Sequence, residues 1–379
     1  MKYWRGYFIA ALLSALGWGL SEFARTHIAL MDIVYPYMSR MIVSSMADWS
    51  AGVDFCVWQV LLVALIVLML ASLVLMLILK WNPIQWFGWI LAVVSLVSVL
   101  NLGVYGLNSY TGDLAEDIRL EVIENTVSEL EIVATHYRDK ANALATEVPR
   151  DEQGKPQFAE FSVLAAQAGD GFKTLTYENG LSIFAGSTAQ VKPLGFTGFY
   201  GNTTGITIGI TGEAAVNPDV ANLVLPFAMC REMAHRLSIA NEADANFAAF
   251  IACRANRDVQ FRYSGYFMAY NYCVQALKAE TTTTGAAALE RVVAGQNANL
   301  TQDIADCAAY LGGADTYSYT GSYQVHNLLI SAYMQEYVLP GQAEQEEVFD
   351  PMDETQVDLT TTVIDITPTE PTEEAEGDE

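Results

Sequence analysis

Glu232 and His235 stand three apart in Cys230-Arg231-Glu232-Met233-Ala234-His235. On a helix, His-Glu-x-x-His places two imidazoles on one face to hold zinc, and its glutamate acts as the base that activates a metal-bound water. Here Arg231 occupies the first imidazole position, while the base position and the second imidazole are kept. A guanidinium has no lone pair to give a metal. The neighbouring thiol does not restore the pattern, because a one-residue shift turns Cys230 by about 100° around a helix, away from His235. A few residues on come two carboxylates, Glu242 and Asp244, behind Asn241. Read as residues only, they favour a helix N-terminus: asparagine caps the first amides and the acids sit at the positive end of the dipole.

Positioning these groups requires a helix, a break and a second helix. Pro226 suits a first helical turn, and Phe227, Met233, Ala234 and Leu237 continue the apolar face past Glu232 and His235. Residues 238–241 read as the break, and Ala245, Phe247, Ala248, Phe250 and Ile251 back the second helix. Upstream, Ile206, Ile208 and Ile210 alternate in a strand that would lie beside the cleft and could pair with an extended peptide. A helix is expected over residues 113–147, a loop over 147–155 and short β-prone runs from Phe172 to Thr211. Tyr263 and Tyr266 could offer a hydroxyl to an oxyanion or form core and cleft wall. Arg262 is open between a structural ion pair and a substrate-carboxylate contact. No two of the four histidines have metal spacing, and no nucleophile elbow, phosphate loop or dinucleotide fingerprint occurs in its required context.

Composition divides the chain. It is 52% hydrophobic yet carries a formal net charge of -25, which two unlike halves explain and one soluble globule does not. Residues 1–108 form a membrane domain with spans at about 6–22, 55–79 and 84–107. The last two make a hairpin turned at Trp81-Asn82-Pro83, with Trp81, Trp86 and Trp89 as interfacial anchors. The first follows Lys2 and Arg5 like a signal peptide, but Trp18, Glu22 and Phe23 stand where small residues would allow cleavage, so it reads as uncleaved. Residues 22–54 mix apolar and charged types and are expected on the membrane surface. Lys2, Arg5 and Lys80 orient the spans so that everything after residue 108 lies outside the cytoplasm, with Arg25 and Arg40 opposing. From Glu344 to Glu379 there are fourteen Asp or Glu and no Lys or Arg, so residues 341–379 are expected to be a disordered acidic tail. Such acidity argues against nucleic-acid binding. The bilayer is the expected partner. Four cysteines outside the spans, Cys230, Cys253, Cys273 and Cys307, leave disulfides and buried free thiols both open.

With Asn101 to Asn108, Gly205 to Asn217 and the run from Pro226 through Glu242-Ala243-Asp244-Ala245-Asn246-Phe247 to Arg262-Tyr263-Ser264-Gly265-Tyr266, the chain resembles a bacterial membrane family of unknown function. That family has three N-terminal spans and a zincin-type metallopeptidase domain, and the resemblance covers about residues 5–335. It implies an α-helical anchor of three transmembrane helices plus an α+β, mostly helical zincin-like domain over 109–340. By the same resemblance, zinc would be held by His235 and Glu242, with Asp244 as alternative ligand and Glu232 as catalytic base. Asn246 would orient a ligand, and Glu213, Arg262, Tyr263 and Tyr266 would line the cleft. Arg231 departs from the pattern, and its guanidinium could pair with Glu232 or Glu242 in the metal's electrostatic place. The expectation is therefore a degenerate metal site and a non-catalytic protein that binds a peptide or an envelope protein. The alternatives are an active zinc peptidase with a replacement ligand, and a membrane protein whose acidic tail recruits partners.

Overall fold

The computed structural model describes residues 2–199, 203–310 and 322–338; the expected acidic tail at 341–379 lies outside them. Among the described residues, three helices are long and apolar enough to cross a membrane: α1 (Arg5–Thr26), α3 (Val57–Ile78) and α4 (Pro83–Val104). The chain is thus membrane-anchored. Helix α1 packs along α4, with Gly6 against the Gly88 backbone and Gly17 against Val99 and Leu102; such small residues let two helices approach closely where lipid gives no hydrophobic drive. At the hairpin tip Asn82 Oδ1 accepts from the Ile84 and Gln85 amides at 2.9 and 3.2 Å, and Pro83 opens α4 where no amide is needed.

Residues 28–50 form one continuous helix, α2 (Ile28–Ser50), despite Pro36. Its inner face, which includes Ser39, Val43, Ala47 and Ser50, is buried. A 3-10 turn at Gly106–Tyr110 and the short α5 (Leu114–Asp117) lead from α4 into the rest of the chain.

The expected helix over 113–147 is two pieces. Thr126 and Glu129 form a capping box that starts α6 at Val127–Glu147, and the apolar Leu120, Val122 and Ile123 precede it. The Ile123 amide donates to Ser331 Oγ at 3.0 Å, which ties this stretch to a distant helix. Two short helices follow, α7 (Phe161–Gln167) and α8 (Asp170–Tyr177), and α8 replaces the first residues of the β-prone stretch that begins at Phe172.

Three short strands follow, β1 (Lys192–Pro193), β2 (Gly205–Ile208) and β3 (Glu213–Val216), in the order β1-β3-β2. Strand β1 runs parallel to β3, and β2 pairs antiparallel with it in the register Gly205↔Val216 to Ile208↔Glu213. The alternation ends at Ile208, because the chain turns at Gly212. Gly212 has φ +65°, and a Cβ there would run into the α2 backbone at Val43 and Ala47, so both conformation and space require glycine.

Helices α9 (Leu225–Arg236), α10 (Glu242–Ala255) and α11 (Val259–Ala279) form the centre of the main core, closed by α12 (Thr283–Ala294), α13 (Ala298–Tyr310) and α14 (Ser322–Tyr333) with α6. The break after α9 and the Asn241 cap fall where the sequence places them: Asn241 Oδ1 accepts from Ala243 N at 2.8 Å. All five cysteines are buried and none is in a disulfide, so the disulfide alternative does not hold.

Candidate functional site

Glu232 and His235 lie on α9, Glu242 opens α10, and the break at 237–241 turns α10 back so that the three converge. Arg231 joins them. Its Nη2 lies 2.6 Å from Glu232 Oε1, its Nη1 3.7 Å from Glu242 Oε2, and Nη2 also donates to Thr204 Oγ1 at 3.0 Å. The guanidinium therefore bridges both carboxylates that the sequence offered it.

Strand β2 supplies the opposite wall. Thr207 Oγ1 lies 2.8 Å from Glu232 Oε2 and 2.9 Å from the Glu232 carbonyl, so each Glu232 oxygen already meets a donor. Gly205 makes this possible: a Cβ there would sit 2.5 Å from Glu232 Cγ. Across the site His235 Nε2 is 3.5 Å from Glu242 Oε1, and His235 Nδ1 is 2.8 Å from the Ile239 carbonyl. Burial alone would lower the His235 pKa, but the Glu242 hydrogen bond and the charges of Glu232 and Glu242 outweigh it and hold the imidazole above its ordinary value. The His235 hydrogen bond correspondingly lowers Glu242, against the effect of burial.

Zinc at about 2.0–2.2 Å from nitrogen and oxygen donors would hold tetrahedral neighbours about 3.3 Å apart, so His235 and Glu242 alone have a spacing that two ligands of one ion could share. The rest of the set does not fit. Arg231 claims Glu232 and approaches Glu242 with a fixed positive charge, and Cys230 Sγ points to the Ala168 carbonyl, 3.8 Å away. Among the described residues no three His, Cys, Asp or Glu are grouped to hold a metal ion.

Several expected members lie elsewhere. Asp244 is not beside His235: its Oδ2 accepts from Leu114 N at 3.0 Å. Burial, with the nearby charges of Asp113 and Asp117 adding to it, pushes the Asp244 carboxyl up to about 6 against the relief given by the Leu114 amide. Glu213 binds the N-terminus of α3, accepting from Val57 N, Trp58 N and Lys192 Nζ at 2.7, 2.8 and 2.7 Å. Tyr263 donates to Asp303, which Arg150 holds through both oxygens at 2.9 and 2.7 Å, and burial raises its phenol far above the usual range. Tyr266 packs against Tyr137 in a tilted arrangement and edge-on against Phe250. These tyrosines are core, the second of the two readings open to them. Asn246 is buried and does line a cavity of about 20 Å³ with Arg231 and Thr204, its Nδ2 without a partner among the described residues. For Arg262, Nε is buried with no bond among the described residues.

Four contributors were missed: Thr204, Gly205, Thr207 and Tyr105. Tyr105 follows the last residue of α4, and its Cβ and ring take the space a Gly209 side chain would need. Burial, and then the negative charges of Glu232 and Glu242, raise its phenol above the ordinary range, which places the end of a membrane span within electrostatic reach of the site.

A family model described as "Protein of unknown function (DUF3810)" matches residues 31–335. No curated protein and no solved structure matches the chain.

Proposed function

From the DUF3810 family, to which this membrane-anchored chain belongs, and from the place Arg231 takes, we propose a zincin-like frame whose metal site has been replaced by an ion-pair cluster and which now binds a partner. The observation that carries this is the 2.6 Å contact of Arg231 with Glu232, with Glu242 at 3.7 Å. A hydrolytic zinc site needs three protein ligands and an open position for water, and a general base must be free to take a proton from that water. Here the base position is held by Arg231 and Thr207, and only His235 and Glu242 remain as donors. The main domain lies outside the cytoplasm in this reading. Its partner is an extended peptide or an envelope protein, for which β2, at the edge of the sheet among the described residues and beside Glu232, is the strand to pair with.

The test uses the full-length protein in detergent, because Glu213 and α2 join the membrane part to the rest. Elemental analysis should find no stoichiometric zinc, and peptide hydrolysis should not exceed background. Arg231→His should then raise zinc affinity by orders of magnitude through one added ligand. One zinc per chain in the wild type, with hydrolysis lost in Glu232→Gln, would establish the active peptidase instead. No gain of zinc in Arg231→His would remove the ligand assignment of His235 and Glu242.

A further inference from the structure

Helix α2 carries three charged residues, and all three turn toward the rest of the protein. Asp32 Oδ1 accepts from Gly112 N at 2.6 Å, Arg40 Nη1 donates to the Ser182 and Ile183 carbonyls at 3.1 and 2.6 Å, and Asp48 Oδ1 accepts from Ser187 Oγ at 2.5 Å. The small and polar residues Ser39, Val43, Ala47 and Ser50 are buried on the same side. The outer face is mostly apolar: Leu30, Val34, Met38 and Trp49 are 41–69% exposed, while Tyr37 and Met41, also exposed, border a cleft shared with Asp117, Arg119 and Ser182. A helix under water alone would show the opposite arrangement.

Connectivity says what covers this face. One residue, His27, separates α2 from the end of span α1, and residues 51–56 separate it from the start of span α3. Helix α2 is not itself among the candidate spans, so both of its ends are tied to the same membrane surface. A helix of 23 residues is about 34 Å long, whereas a six-residue link reaches at most about 20 Å. The helix therefore cannot stand away from the membrane along its length. Ser39 Oγ on its inner face donates to the Val104 carbonyl at the end of span α4 at 2.8 Å, and Ser238 Oγ at the end of α9 lies 3.1 Å from Ser39 Oγ.

We propose that α2 lies flat in the interfacial layer of the bilayer, its outer face buried among lipid headgroups and upper acyl chains, so that the lipid surface is the partner of this face and the floor beneath the candidate site. The inference does not rest on the proposed loss of zinc chemistry.

All native cysteines are buried, so a single introduced one can be labelled in the full chain. Val34→Cys and Met38→Cys, and Val293→Cys on α12, which packs against α6 and α11, would each carry a nitrobenzoxadiazole label in phosphatidylcholine–phosphatidylglycerol vesicles. Quenching at 34 and 38 by lipids brominated near the carbonyl end, with protection from aqueous iodide, and the reverse at 293, is the expected result. Labels at 34 and 38 quenched by iodide as strongly as at 293 would overturn it. So would labels shielded from both quenchers, which would mean a protein surface covers the face. Both outer-face positions are exposed, so neither substitution removes a core contact, and agreement between them guards against one failing to fold.

Discussion

Two buried cation–carboxylate pairs flank the sheet and differ in what surrounds them. Lys192 and Glu213 are 7% and 0% exposed, and every partner of the pair is fixed: Glu213 takes two α3 amides, and Lys192 Nζ also donates to the Ser50 and Phe55 carbonyls at 2.7 and 3.1 Å. Arg231 and Glu232 are buried as deeply, at 9% and 2%. Their cluster continues into Glu242, whose side chain is 46% exposed. The first pair closes on itself and ties the sheet to a membrane span; the second ends at an open edge where a partner can reach it. Burial of an ion pair does not by itself distinguish a joint from a site, but the exposure of its last member does.

The sharpest break of this contrast is Glu213→Ala. It leaves Lys192 buried with its charge uncompensated and uncaps α3, and should cost about 3–5 kcal/mol in a reversible unfolding measurement in detergent; Lys192→Met combined with Glu213→Leu should recover much of that. If the single substitution costs no more than a surface change, the joint reading fails. Arg231→Met comes next at about 2–3 kcal/mol, because Glu232 keeps only Thr207 while Glu242 still faces solvent. Equal losses at the two pairs would erase the distinction.

Asp244→Asn should act in the other direction. A carboxyl held at about 6 against 3.8 binds its proton more tightly folded than unfolded, so its cost is absent below about pH 4, grows through pH 6 and is full above it. The variant should be more stable by up to about 2 kcal/mol at pH 8 and no different near pH 4; a pH-independent gain would mean the effect is not ionisation. The smallest effect belongs to Glu242→Gln, about 0.5 kcal/mol given solvent screening. Its sign follows from both partners. Glu242 is depressed, so its contribution is present above the ordinary glutamate range and fades as pH falls through the lowered value. His235 is raised, so its contribution is present below the ordinary histidine value and fades as pH rises through the raised one. The difference between wild type and variant should therefore peak between those limits, and melting curves across pH would show it.

What was legible in the sequence was what helix geometry fixes locally. Arg231, Glu232 and His235 share one helix, Asn241 marks the start of the next, and a guanidinium next to two carboxylates finds them both. The partners that lie far along the chain were not legible. Glu213 meets Val57 across 156 positions, Asp244 meets Leu114 across 130 and Tyr263 meets Asp303 across 40. An acidic residue at a helix start reads the same whether it caps its own helix or a distant loop, so Asp244 looked like a neighbour of Glu242 in function as well as in sequence. A strand beside the cleft was legible, but which of its residues form the wall, Thr204, Gly205 and Thr207, was not, since a strand's register against a helix is set by tertiary packing. The spans were legible for the opposite reason: twenty consecutive apolar residues need no partner to be recognised.

The Glu213 cap also has a history in time. The amides of Val57 and Trp58 leave the ribosome some 156 residues ahead of the carboxylate that receives them, roughly 10–30 s at ordinary rates of synthesis. Helix α3 must therefore enter the bilayer with its leading end open, and only the finished sheet can seal it. Anything that arrests the chain between these two points leaves an inserted anchor whose Val57 and Trp58 amides lack this carboxylate.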